Sequence, residues 1–424
     1  MDTIFALSSG SPPAGIGVIR ITGPRAREAV SSIAGKVPQP RLAMRARFRD
    51  GAGELLDDGL ALFFPGPNSA TGEDLAELHC HGGRAVIAAV EQALAAIDGL
   101  RCAEPGEFTR RAFANGRMDL AEAEGLADLL SAETEIQRRS ALAMAGGALS
   151  RKVEDWRERL LRLSAQVEAV LDFDDEDDVE ALPQSFGQHV EELANELGAA
   201  MDAPSAETLR EGYRVALAGP PNAGKSTLFN ALTDSDAAIT ADVPGTTRDV
   251  LTASVSIGGV PFTFVDMAGL RDGSSDHIEV IGIERAAKEI ARADLVLWLG
   301  PQTKLPQGAW DVAAQCDRPE VGTKVNADYY VSAVSGAGMR ELSQALVDHA
   351  RKSMPVTGVA AINARQRSLI TAAHASLTDI KTHVDPLIVG ECLRRARVAF
   401  DAITGRVSTE DVLDTLFGRF CIGK

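Results

Sequence analysis

Residues 219–227 read Gly219-Pro220-Pro221-Asn222-Ala223-Gly224-Lys225-Ser226-Thr227, a complete G-x-x-x-x-G-K-[ST] phosphate loop. The flanks supply the setting its chemistry needs. Tyr213 to Ala218 is a short apolar run suited to a buried strand, and Thr227 to Leu232 continues as a helix. Backbone N–H groups of such a turn, together with the helix N-terminus, converge on an anion. Asn222, Ala223, Gly224, Lys225, Ser226 and Thr227 are therefore the expected phosphate-side contacts of a nucleotide. Lys225 reaches the β- and γ-phosphates, and the Ser226 hydroxyl ligates magnesium.

The elements that follow make the nucleotide GTP. Pro261 to Asp266 is an apolar strand ending in Asp266-Met267-Ala268-Gly269, a D-x-x-G element. Asp266 holds the magnesium shell through water, and the Gly269 N–H senses the γ-phosphate. Between the two motifs, Gly245-Thr246-Thr247-Arg248-Asp249 reads as the first switch, with the Thr247 hydroxyl completing the magnesium site. Leu270 stands where Ras-like enzymes place a glutamine. An aliphatic side chain cannot orient the attacking water, so another group must. Arg248 and Arg271 are nearby candidates for an arginine finger, or ordinary ion pairs.

At 424 residues the chain is long enough for two or three domains, and 45% hydrophobic with 24% charged residues is an ordinary soluble composition. No apolar run reaches the ~18–20 residues that span a bilayer, and the N-terminus has no basic segment leading an apolar core, so no membrane association and a cytoplasmic address are expected. Five scattered cysteines exclude a disulfide framework. His79-Cys80-His81 tempts a metal reading, but no second ligand pair accompanies it; a structural or ligand-lining role fits better. The net charge of −17 disfavours independent tight binding of a polyanion.

The first ~118 residues are rich in Gly and Pro, with β-like runs at Gly17–Ile21 and Leu60–Phe64 and a helical stretch near Ala85–Val90, which predicts an α+β domain. From Leu120 to about Leu209 the spacing turns helical, and helical sequence resumes at Ile362. The expected division is 1–118, 119–210, 211–355 and 356–424: an α+β domain, then a discontinuous α-helical domain interrupted by a Ras-like P-loop α/β domain. Near the end, Ser408-Thr409-Glu410-Asp411 reads as a capping box before the helical face of Val412, Leu413, Leu416, Phe417 and Phe420. That face is expected to pack internally and anchor the terminal tail.

Several blocks now combine. Asp2–Ala6 and Gly15–Gly23 open the chain; Phe64–Gly72, Glu77–Gly83, Pro105–Phe108 and Asn115–Glu124 follow; Ile403–Arg406 and Phe420-Cys421-Ile422-Gly423-Lys424 close it. With the phosphate loop, these resemble the MnmE (TrmE) family of tRNA-modification GTPases from end to end. The resemblance implies a homodimer that binds tetrahydrofolate in its N-terminal domain. It also implies work with a flavoprotein partner, MnmG (GidA), whose FAD handles the redox step, and an aminomethyl-type group placed on carbon 5 of the tRNA wobble uridine.

By the same resemblance Arg20, Glu77, Arg117 and Lys424 match folate-binding positions, and Cys421 is a catalytic candidate. Arg117 stands where some members have lysine, which keeps the charge and changes the donor geometry. Potassium replaces the arginine finger, held by Asn222 and by the stretch including Ala241, Val243, Gly245 and Thr246, while Glu279 positions the hydrolytic water. The guanine-reading element aligns with Thr323-Lys324-Val325-Asn326, followed by Ser332-Ala333, so Asn326 replaces the usual aspartate and Asp328 is a possible substitute. Two other classes remain open: an Era- or Der-like GTP-dependent ribosome-assembly switch, and a folate-binding regulator without catalysis.

Overall fold

The computed structural model describes residues 2–172, 182–202, 205–234, 251–267, 289–318, 324–354, 361–383 and 385–423. The described strands are β1 Thr3–Leu7, β2 Ile16–Thr22, β3 Met44–Arg49, β4 Leu55–Phe64, β5 Leu75–His81 and β6 Leu100–Cys102, then β7 Tyr213–Ala218, β8 Leu251–Ile257, β9 Val260–Asp266, β10 Leu295–Trp298, β11 Trp310–Ala314 and β12 Tyr329–Val331. The described helices begin with α1 Ala26–Ala34, α2 Arg84–Ala95, α3 Glu107–Ala114, α4 Leu120–Leu130, α5 Glu135–Ala145 and α6 Ala148–Asp172. They continue with α7 Ser185–Met201, α8 Ala206–Glu211, α9 Lys225–Thr233, α10 Met339–Ser353, α11 Ala364–Ile380, α12 Pro386–Thr404 and α13 Glu410–Phe417. Two compact units emerge: Met1–Ala127 with Ala145–Leu182 and Val384–Lys424, and Asp128–Met144 with Pro183–His383.

In the first unit six strands form a sheet of order β3-β4-β5-β2-β1-β6, antiparallel except for the β1–β6 pair. Period-two alternation sorts the residues. One face puts Phe5, Ile19, Ile21, Phe63 and Leu78 against α1 and α2, through Val30, Ile33, Ile87 and Leu94. On the other face Ile4 and Ala6 are covered by Ala103, just past β6, and by Phe108 of α3. Arg20, Glu77 and His79 stand half-buried on that second face.

The helical part of this unit is built by α6 and α12. Trp156, fully buried, lies 5.9 Å from the Phe400 ring, and Arg157 Nε donates to Asp401 Oδ1 at 2.9 Å beside them. Leu413, Leu416 and Phe417 of α13, with Phe420, pack on Leu120 and Ala123, with Phe113 and Met118 alongside. The internal packing expected of this face is present. The capping box is not: Thr409 is the N-cap and its side chain accepts no cap hydrogen bond. A true box lies elsewhere, at α11, where the Asn363 side chain accepts from Gln366 N at 2.8 Å and the Gln366 side chain accepts from Asn363 N at 3.1 Å.

The second unit holds a sheet of order β12-β11-β10-β7-β9-β8, parallel throughout except for the β8–β9 hairpin. Strand β9 is buried at every position, as expected of a parallel sheet covered on both faces. Val215, Leu217, Phe262, Phe264, Leu295 and Val312 join Leu228 and Leu232 of α9 and Leu342 and Leu346 of α10 in its core. In such a doubly wound sheet ligands bind outside the carboxyl ends of the strands. No helix among the described residues is long and apolar enough to cross a membrane.

Candidate functional site

The phosphate loop leaves β7 at its carboxyl end and runs into α9. Asn222 sits at φ +60°, a left-handed conformation that asparagine tolerates better than most residues. Gly224, at φ +89°, caps α9, and a Cβ there would lie 3.1 Å from Gln315 Nε2, so a side chain would be strained and crowded. Lys225 is buried, and its Nζ donates to Gly219 O at 3.1 Å and Pro220 O at 2.9 Å, which bends the ammonium back over the loop. Ser226 Oγ donates to Asp266 Oδ2 at 2.6 Å, and Asp266 is fully buried at the end of β9. Two hard oxygen donors brought together in this way fit a magnesium ion. Met267 turns its side chain into a small apolar cluster with Ala216, Ala218 and Val296.

Strand direction sets the expected base-reading residues apart from the crevice. Lys324 and Asn326 precede β12, at its amino end, whereas the nucleotide crevice lies at the carboxyl ends of the parallel strands. Lys324 Nζ is spent on Trp298 O, Val312 O and the Asp311 carboxylate. Asp328 cannot substitute, because its Oδ2 accepts from Asp311 N at 2.8 Å and its own N–H donates to Asp311 O at 2.9 Å. The turn at the carboxyl end of β11 is Ala314-Gln315-Cys316-Asp317. Gln315 lies against Gly224 of the phosphate loop. Asp317 is exposed, and a hydrogen bond from the Ser332 side chain holds its carboxyl below the usual range. Ser332 and Ala333 follow β12 at its carboxyl end, where they were expected.

A second polar constellation occupies the outer face of the first unit's sheet. Arg20 and Glu77 are register partners on β2 and β5, and Arg20 Nε donates to Glu77 Oε1 at 2.9 Å. His79, two residues along β5, contacts Glu77 Oε2 through Nε2 at 3.0 Å. Burial alone would raise the Glu77 carboxyl, but the hydrogen bonds from His79 and Arg20 hold it below its ordinary value. Cys80 points to the opposite face; burial, with Asp57 adding to it, pushes its thiol up to about 11, and His81 pairs with Asp57 at 2.8 Å. The three residues of the His-Cys-His run therefore do not converge.

Arg117 follows α3 with its side-chain stem packed beside Gly72, whose neighbour Thr71 is hydrogen-bonded to Thr22 of β2 at 2.6 Å. The tail arrives on the same unit. Ile422 forms an antiparallel bridge with Pro105, and Gly423 at φ +92° lies so close that a Cβ would sit 2.1 Å from Leu7 O. Cys421 is exposed. Ala241, Val243, Gly245, Thr246, Thr247, Ala268, Gly269, Glu279, Thr323 and Lys424 lie outside the described residues.

Comparison with known proteins gives the following. The family profile described as MnmE helical domain matches residues 120–421, and that of the GTP-binding protein TrmE N-terminus matches residues 3–117. The tRNA modification GTPase MnmE of Novosphingobium aromaticivorans is 58% identical over 435 residues, covering 100% of both chains. That of Erythrobacter litoralis is 58% identical over 424 residues, again with 100% of both covered. Among solved structures, the G domain of the T. maritima FeoB iron transporter matches 32% of this chain and 98% of its own at 25% identity, with a TM-score of 0.23. With two profiles and near-complete alignments behind it, the chain belongs to the MnmE (TrmE) family of tRNA modification GTPases.

Proposed function

We propose that this chain hydrolyses GTP and, with a flavoprotein of the MnmG kind, modifies carbon 5 of the wobble uridine of tRNA using a tetrahydrofolate one-carbon unit. The observation that carries this reading is the presence in one chain of both constellations, the Lys225–Ser226–Asp266 phosphate end and the Arg20–Glu77–His79 face. An Era- or Der-like assembly switch has use for the first only, and a folate-binding regulator for the second only.

In the GTPase, Lys225 and the loop N–H groups hold the phosphates, and Asp317 accepts two N–H bonds from guanine. Ser226 and Thr247 hold magnesium, which when bound neutralises charge on the phosphate oxygens. Asn222, with Ala241, Val243 and Thr246, holds potassium in the place of an arginine finger, and Glu279 orients the attacking water. Hydrolysis is expected to slow by at least about tenfold when sodium replaces potassium, and equal rates in the two salts would remove the ion from the mechanism.

On the other face, Arg20, Glu77, Arg117 and Lys424 hold the folate, whose mixed donors and acceptors match a guanidinium paired with a carboxylate. The chain acts as a homodimer, its domains divided near 118, 210 and 355. With a net charge of −17, it leaves much of the contact with tRNA phosphates to the partner, whose FAD handles the redox step. Mass spectrometry of tRNA nucleosides from a deletion strain tests the whole reading. The strain should lack the carboxymethylaminomethyl-type uridine and regain it with the gene; an unchanged nucleoside profile would favour the assembly switch.

A further inference from the structure

We infer that Ser8 supplies a ligand-binding hydroxyl to the Arg20–Glu77 face, an extension of the folate reading above and dependent on it. The Ser8 Oγ is shut off from solvent and makes no hydrogen bond among the described residues. Its neighbour differs: Ser9 Oγ accepts from Val18 N at 3.1 Å and so serves the backbone. Buried polar atoms of this kind are rare in folded chains, and each calls for an explanation.

Position supplies one. Ser8 lies one residue past β1, still held in register by its N–H donating to Val18 O at 2.7 Å. Alternation puts its side chain on the face of Ala6, whose register partner is Arg20. The opposing row on β5 is then Glu77 and His79, the register partners of Arg20 and Val18. The tail closes from the other side, since a Cβ on Gly423 would fall 3.1 Å from Ser8 Cα.

The chemistry completes the set. Glu77 accepts from Arg20 on one oxygen and contacts His79 with the other, so this row is charged and largely committed to itself. A hydroxyl that both donates and accepts adds a neutral contact, the kind that recognises a ring amide or amine of a heterocycle.

The test uses the purified full-length chain with tetrahydrofolate under anaerobic conditions, measured by calorimetry, and thermal unfolding without ligand. Ser8→Ala is expected to weaken tetrahydrofolate binding about 5- to 30-fold while the ligand-free melting midpoint stays the same or rises, because a hydroxyl without a partner is removed. A lowered ligand-free midpoint would assign the hydroxyl to the fold and overturn the inference. Arg20→Ala separates this result from failure of the underlying reading. If Arg20→Ala weakens binding and Ser8→Ala does not, Ser8 alone is removed from the site; if the wild type binds no tetrahydrofolate, the folate reading falls and Ser8 with it.

Discussion

Asp317→Asn is expected to lower GTP affinity roughly 30- to 900-fold and to raise the ratio of xanthine to guanine nucleotide affinity. An aspartate carboxylate accepts both guanine N–H donors. An asparagine amide keeps one acceptor and turns an NH₂ toward the second donor, which meets repulsion where a charge-assisted bond stood. Xanthine offers an acceptor at that place and pairs with the amide. Asn326→Asp, at the amino end of β12, should leave both nucleotides unaffected. Titration of GTP and xanthosine triphosphate against the two variants decides the matter, and tighter GTP binding by the Asn326 variant would return the base reader to the later loop.

Glu279→Ala should slow GTP hydrolysis by about 10²- to 10⁴-fold with nucleotide affinity nearly intact. The carboxylate acts on the nucleophile and touches neither base nor phosphate, so its removal takes away an interaction made only on the way to the transition state. With Leu270 in the glutamine position, no side chain there can take its place. Single-turnover hydrolysis beside equilibrium binding separates the two effects; a variant with wild-type turnover would exclude Glu279 as the water-positioning residue.

Much of this was legible in the chain itself. The phosphate loop and the D-x-x-G strand are local strings, and the structure sets them at the carboxyl ends of β7 and β9; Arg20 and Glu77 lie 57 residues apart, entered through the family resemblance, and become neighbours only through the register of β2 and β5. Thr323-Lys324-Val325-Asn326 has the letters of the guanine-reading motif, but Lys324–Asn326 precede β12 at its amino end, while Ala314-Gln315-Cys316-Asp317 lies at the carboxyl end of β11 with neither the asparagine nor the lysine. The usable signal was the apolar strand Trp310–Ala314, which must end in the crevice. The misplaced capping box has a similar cause. Ser408–Asp411 satisfies the pattern, but the chain enters α13 one residue later, whereas Asn363 and Gln366 at α11 meet the geometry with residue types equally competent for it. Ser8 leaves no mark in the sequence, because an orphan hydroxyl is defined only by what fails to surround it.

The packing of α6 on α12 also sets a timetable. Arg157 and Asp401 lie 244 residues apart, so on the ribosome α6 leaves the exit tunnel long before the helix it buries against has been made. At ~5–20 residues per second that interval is about 12–50 s, whereas local helix formation takes microseconds or less. Throughout it the nascent chain carries the apolar stripe of Trp156, Leu160, Leu163 and Val167 without its eventual cover. The intervening 183–383 segment can meanwhile collapse around its own core, so vectorial synthesis favours completing the nucleotide-binding unit before α6 meets its cover.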